Sequence, residues 1–128
     1  MYKILVCDDD RDIVSALEIY LKAEGYQVEK AYNGQEALAC VEREEIHLVL
    51  MDIMMPIKNG YEAAKMIRAL DRDDAKTVPI IAMTANAFTE DRLKSKESGM
   101  NEHIAKPIDA KLLVKVISEF VENKEEDS

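Results

Sequence analysis

The run HLVLM, residues 47–51, decides how the chain is read. After its histidine every position is apolar, whereas a strand with one wet face would alternate apolar and polar side chains. A short run of this kind reads as a strand buried on both faces, as central strands of a parallel sheet are. VPIIAM at 78–83 has the same character. KILVC at 3–7, YQVEKA at 26–31 and EHIA at 102–105 supply three further strands.

Helical patterns alternate with these runs. Ile13, Ala16, Leu17, Tyr20 and Leu21 make one apolar stripe, and Leu112, Leu113, Val116, Ile117 and Phe120 make another. Segments 35–44, 61–70 and about 87–98 complete five predicted helices. Asn33 and Asn59 each stand three residues before a glutamate, as N-caps in a variant of the capping box. Gly25 and Gly99 follow helical runs, where a left-handed residue is favoured. A (βα)5 order with short connections predicts a doubly wound α/β sandwich, a five-stranded parallel sheet with helices on both faces.

The 128 residues suit one domain with a core large enough to need no staple. The 26 acidic and 17 basic residues give a net charge of −9, which disfavours direct binding to nucleic acid or an anionic membrane. No apolar run approaches the ~20 residues of a membrane span, and the N-terminus lacks a signal-peptide pattern. A cytoplasmic location without membrane insertion is the expectation. Cys7 and Cys40 lie in no metal-binding or CxxC spacing and read as small core residues. His47, at a strand start, reads as structural.

In such sheets ligands bind beyond the carboxyl ends of the strands. Asp8 and Asp9 follow the first strand, Asp52 the third, Thr84 the fourth and Lys106 the fifth. Asp10 and Asp12, at the head of the first helix, read as caps worth ~0.5–2 kcal/mol each. Capping does not account for Asp8, Asp9 and Asp52 together, because clustered carboxylates oppose one another's ionisation. A hard divalent cation such as Mg²⁺ resolves that repulsion. A hydroxyl (Thr84) and an ammonium (Lys106) are then the groups that hold phosphoryl oxygens, and an aspartate can accept a phosphoryl group. Pro107 is a candidate for a cis peptide that turns Lys106 inward.

In combination VCDDD, LVLMDIMMPIKNG, IIAMTANAF and HIAKPID resemble the receiver domains of two-component response regulators, over about Lys3 to Val121. The resemblance implies a flavodoxin-like strand order 2-1-3-4-5. It also implies Asp52 as phospho-acceptor, Asp9 and Asp52 as direct Mg²⁺ ligands, Asp8 as a ligand through water and the Met54 carbonyl as a further ligand. Thr84, Lys106 and the Ala85 backbone N–H would hold the phosphoryl oxygens. The resemblance also implies that Met54 and Asn86 occupy positions that influence access of water to the acyl phosphate. The implied partners are a sensor histidine kinase or histidine phosphotransfer protein, and a downstream output protein or domain.

His103 stands where such domains often carry Tyr or Phe, and it reads either as a switch or as a polar strand-edge residue. The C-terminal motifs AMTANAF and GMNEHIAKPID resemble receivers joined to hybrid kinases, whereas DIVSALEIYLKAEGY resembles those of DNA-binding regulators. Residues 1–121 are thus expected to form the receiver domain, with 122–128 an acidic tail or the start of a linker, in a free-standing regulator or a module of a larger protein. Two alternatives remain. Asp8 and Asp10 form the D-x-D of an aspartate-nucleophile phosphatase, although Asp12 departs from that pattern and neither a late acidic pair nor a cap domain is evident. A phosphorylation-independent interaction module would be expected to lack Asp52, Lys106 or one of the first two acids. Neither GxGxxG nor a P-loop is present.

Overall fold

The computed structural model describes residues 2–55, 59–85 and 89–126, and of 89–92 and 122–126 the backbone alone. The strands are β1 (Lys3–Cys7), β2 (Gln27–Ala31), β3 (Leu48–Asp52), β4 (Ile80–Thr84) and β5 (Glu102–Ala105). The helices are α1 (Arg11–Ala23), α2 (Gly34–Arg43), α3 (Gly60–Arg68), α4 (Asp73–Thr77), α5 (Thr89–Glu97) and α6 (Ala110–Glu126). All pairings are parallel and the sheet order is β2-β1-β3-β4-β5. The expected fold is present.

β3 and β4 are buried at every position, which is why neither shows a period of two. Their alternating side chains feed two separate cores. Val49, Met51, Ile80 and Ala82 pack with Ala37, Val41, Ala63 and Ile67 from α2 and α3. Leu48, Leu50, Ile81 and Met83 pack with Val14, Leu17, Leu21, Leu113 and Ile117 from α1 and α6. Burying one such aliphatic side chain is worth ~1.5–3 kcal/mol, so both helix layers are held by the strands between them.

The helix starts follow their caps. Asn33 Oδ1 and Asn59 Oδ1 each accept a 2.9 Å bond from the N–H of the glutamate three residues on. Glu36 reaches back to the Tyr32 N–H at 3.0 Å. Asp10 Oδ1 accepts from Asp12 N at 3.0 Å and Ile13 N at 3.3 Å, as a cap should. Gly25 and Gly99 have φ of +95° and +96°, the left-handed conformation expected of them.

Three local readings change. α4 was not expected, because five residues of DDAKT carry no apolar period; it buries only Ala75 and its N-cap, Arg72, makes no side-chain cap bond. Asp52 and Thr84 are the last residues of β3 and β4 rather than the first beyond them. The backbone of α6 continues through Glu126, past Val121.

Cys7 and Cys40 are buried free thiols in the α2–α3 core. Burial, with the charges of Asp8 and Asp52 adding, pushes the Cys7 thiol far above its ordinary range. His47 is structural as read: its Nδ1 accepts from Lys3 N at 2.9 Å, and its ring meets Tyr2 edge-on at 5.5 Å. No described helix is long and apolar enough to cross a membrane.

Candidate functional site

Parallel pairing brings the carboxyl ends of β1, β3, β4 and β5 to one edge of the sheet. Cys7 stands beside Met51, Asp52 beside Met83 and Thr84 beside Ala105. The residue after each strand end, or the end itself, therefore opens into a common pocket. Asp8, Asp9 and Asp52 each bring a carboxylate oxygen within 4.8 Å of the others. Asp8 and Asp52 are buried, 0% and 4% exposed, while Asp9 faces solvent.

Lys106 enters this group from the far side of the sheet. Its Nζ lies 2.9 Å from Asp8 Oδ2 and 3.4 Å from Asp52 Oδ1. The Lys106 N–H bonds the Thr84 carbonyl at 2.7 Å, which fixes the start of the β5–α6 connection beside the buried Thr84. The Lys106-Pro107 peptide is cis, as proposed for it. Asp8 is held by a bond from Asp10 N to its Oδ1 at 2.9 Å, and Asp52 Oδ1 accepts from Met54 N at 3.3 Å.

The pocket holds more negative charge than its lysine offsets. Burial first, then the charge of Asp8, pushes the Asp52 carboxyl up to about 6, against the opposing pull of Lys106. Burial works downward on Lys106 itself, but the Asp8 hydrogen bond and the two carboxylate charges outweigh it and raise the group. Three hard oxygen donors with one of them exposed fit Mg²⁺, which commonly takes one or two carboxylates and keeps several waters. The Met54 side chain, 75% exposed, leaves its backbone beside Asp52.

Gly60, at the start of α3, also shapes this pocket. A Cβ there would overlap the Asp52 carbonyl oxygen and lie 2.9 Å from Ile53 Cα. The Gly60 N–H bonds the Ile53 carbonyl at 3.0 Å, so α3 begins flush against the end of β3. In the sequence the Asn59 cap explains this position without the close approach, so spacing alone does not signal it. Ala85 is exposed next to Thr84. Asn86 lies outside the described residues. His103 does not join the acids: it lines a hollow at the opposite edge of β5, its Nδ1 3.8 Å from Glu102.

Fold and pocket together define a doubly wound α/β domain with a cation-ready carboxylate cluster and a lysine at its strand ends. Residues 4–118 match the family described as Response regulator receiver domain, and the chain belongs to it. It is a phosphorylation-dependent signalling receiver of the two-component type. An uncharacterized 14.6 kDa protein of Leptolyngbya boryana is 38% identical over 91% of this chain and 88% of its own length. The regulatory protein VanR of Enterococcus faecium is 38% identical over 82% of this chain, which spans only 43% of that protein. The solved receiver domain of a sensor histidine kinase from Pseudomonas aeruginosa PAO1 is 33% identical, with a TM-score of 0.85 over 94% of this chain and 97% of that one. That structure has a magnesium ion coordinated in its active site cleft.

Proposed function

We propose that Asp52 accepts a phosphoryl group from a sensor histidine kinase or histidine phosphotransfer protein in a Mg²⁺-dependent reaction. The convergence of Asp8, Asp9, Asp52 and Lys106 within a few ångströms at the strand ends carries this reading. Asp8, Asp9 and Asp52, with the Met54 carbonyl, would hold the ion, which supplies charge neutralisation for the carboxylates and the incoming phosphoryl oxygens.

Asp52 Oδ1 is engaged by Met54 N and faces Lys106, which leaves Oδ2 as the nucleophile. Its bond to phosphorus forms as the phosphorus bond to the donor's imidazole nitrogen breaks. Lys106 Nζ, the Thr84 hydroxyl and the Ala85 N–H then hold the phosphoryl oxygens, and catalysis consists of positioning and charge compensation. Residues 1–121 form the receiver, whose modification acts on an output protein or domain in the cytoplasm. The same residues position a water for attack on the phosphorus, which breaks the Asp52 Oδ2–P bond, releases inorganic phosphate and restores the carboxylate.

The D-x-D phosphatase reading loses its second acid, because Asp10 Oδ1 is occupied by two backbone N–H groups of α1. The test is the intact mass after incubation with acetyl phosphate, with and without Mg²⁺. One phosphoryl addition that requires Mg²⁺ and disappears in Asp52→Asn is the expected result. Addition that persists in Asp52→Asn, or proceeds equally without the ion, would overturn the assignment.

A further inference from the structure

The opposite edge of the sheet has its own unbalanced charge. Beneath α5, at the N-terminal ends of β4 and β5, lies a hollow of about 610 Å³. Small-molecule sites typically occupy about 300–1,000 Å³. Arg68, Lys76 and Lys96 all line it. In a chain with net charge −9, none of the three makes an ion pair among the described residues, whereas Lys3, Lys22, Lys30, Arg72 and Lys106 all do.

Arg68 is half-buried, and its hydrogen bonds go to oxygens that carry no charge. Nε and Nη2 donate to the Gly99 carbonyl at 3.0 and 2.8 Å, Nη1 to the Ala75 carbonyl at 3.0 Å, and Nη2 also to Asn101 Oδ1 at 2.8 Å. These bonds hold the guanidinium still without neutralising it. Burial pulls the group below its ordinary value. A partly desolvated charge normally has a counter-ion.

Two further polar atoms lack partners in the same wall. Ser95 is only 4% exposed, and among the described residues neither its Oγ nor His103 Nε2 has a hydrogen-bond partner. Buried polar atoms are almost always satisfied by protein, water or ligand. Among the described residues the one lining carboxylate is Glu102, turned back onto its own strand, where Oε1 accepts from His103 N at 3.0 Å.

We propose that this hollow binds a small molecule bearing two or more oxyanion groups, phosphate or carboxylate. Arg68 supplies a fixed cation, Lys96 from α5 and Lys76 from α4, whose Nζ bonds the Leu70 carbonyl at 3.2 Å, add positive charge, and Ser95 Oγ and His103 Nε2 supply hydrogen bonds. The assignment does not depend on Asp52 being phosphorylated.

Amide NMR spectra of the full chain, in Mg²⁺-free buffer at constant ionic strength, are to be followed during titration with inorganic pyrophosphate and, separately, with citrate. Saturable shifts centred on Lys76, Ser95, Lys96 and Gly99 to His103 are expected from at least one probe. Preference for pyrophosphate or for citrate separates a phosphate ligand from a carboxylate one. The exposed double variant Lys76→Glu, Lys96→Glu should weaken that binding roughly tenfold or more while its spectrum stays folded. Shifts that never saturate, that spread over all lysines, that centre on Lys106, or that survive the double reversal would each overturn the site. Binding confined to an acidic peptide, with both small probes inert, would also overturn it.

Discussion

At the C-terminal ends of β1 and β3, carboxylates outnumber the one lysine that faces them. At the N-terminal ends of β4 and β5, cations face carbonyl oxygens, and among the described residues no carboxylate pairs with them. One sheet thus separates an acidic pocket from a cationic hollow. The two edges are also assembled differently. The acids arrive by strand adjacency alone, since parallel pairing sets Asp8 beside the end of β3. The hollow depends on Arg68 reaching Gly99 and Asn101, 31 and 33 residues away, by side-chain bonds that no strand register dictates.

Removing that reach is the strongest way to break the comparison. Arg68→Ala strips four hydrogen bonds from carbonyl oxygens and should cost about 2–4 kcal/mol in urea unfolding. Mg²⁺ affinity should stay within about twofold, because the acids do not use this anchor. A large loss of Mg²⁺ affinity would show that the two edges are not separate.

Gly60→Ala tests the other edge. Its new methyl meets the backbone of Asp52 and Ile53, which cannot swing aside, so about 2–3 kcal/mol should be lost. Here Mg²⁺ affinity should fall with stability, since the displaced segment carries Asp52.

Asp52→Asn should act in the opposite direction in Mg²⁺-free protein, stabilising it by about 1–2 kcal/mol at pH 7. The folded carboxyl keeps its proton up to about pH 6, whereas the ordinary value is 3.8. The wild type therefore loses stability as pH rises from about 4 to 6, and the Asn variant lacks that decline. Urea midpoints measured across this range should converge at the acid end and separate above it. Saturating Mg²⁺ at about 100 times its Kd should stabilise the wild type by ~2.7 kcal/mol, and the variant by less.

The smallest effect sharpens the contrast within one edge. Gly25→Ala meets nothing within 4 Å and carries only the penalty of its φ of +95°, about 1 kcal/mol. Gly99→Ala has the same φ penalty, but its methyl also lies 2.8 Å from Arg68 Cγ. Its larger loss in the same unfolding assay would confirm the clamp.

These differences explain which features are legible in the sequence. All five strands, the Asn33 and Asn59 caps and both left-handed glycines were readable because each is written within a few adjacent residues. Asp8, Asp52 and Lys106 were readable because a parallel sheet collects its strand ends. The contact between Lys106 and Asp8 spans 98 positions and followed from topology, not from local pattern. By contrast α4 is too short to show a period, and no local pattern marks Arg72, which bonds the Val41 and Glu42 carbonyls at the end of α2. Gly60's close approach to β3 and the Arg68 clamp depend on side chains meeting across elements, which composition and spacing do not record.

The sheet order places β2 and β5 at its flanks, each with one unpaired edge. A bare flank is a template on which another chain can add a strand, and repeated addition builds fibres. Both flanks here are blunt: β5 has only four residues, one of them Glu102, and β2 carries Glu29 and Lys30 among its five. Copies of this domain crowded together should therefore resist edge-to-edge polymerisation, leaving helices and loops as the surfaces through which it meets other proteins.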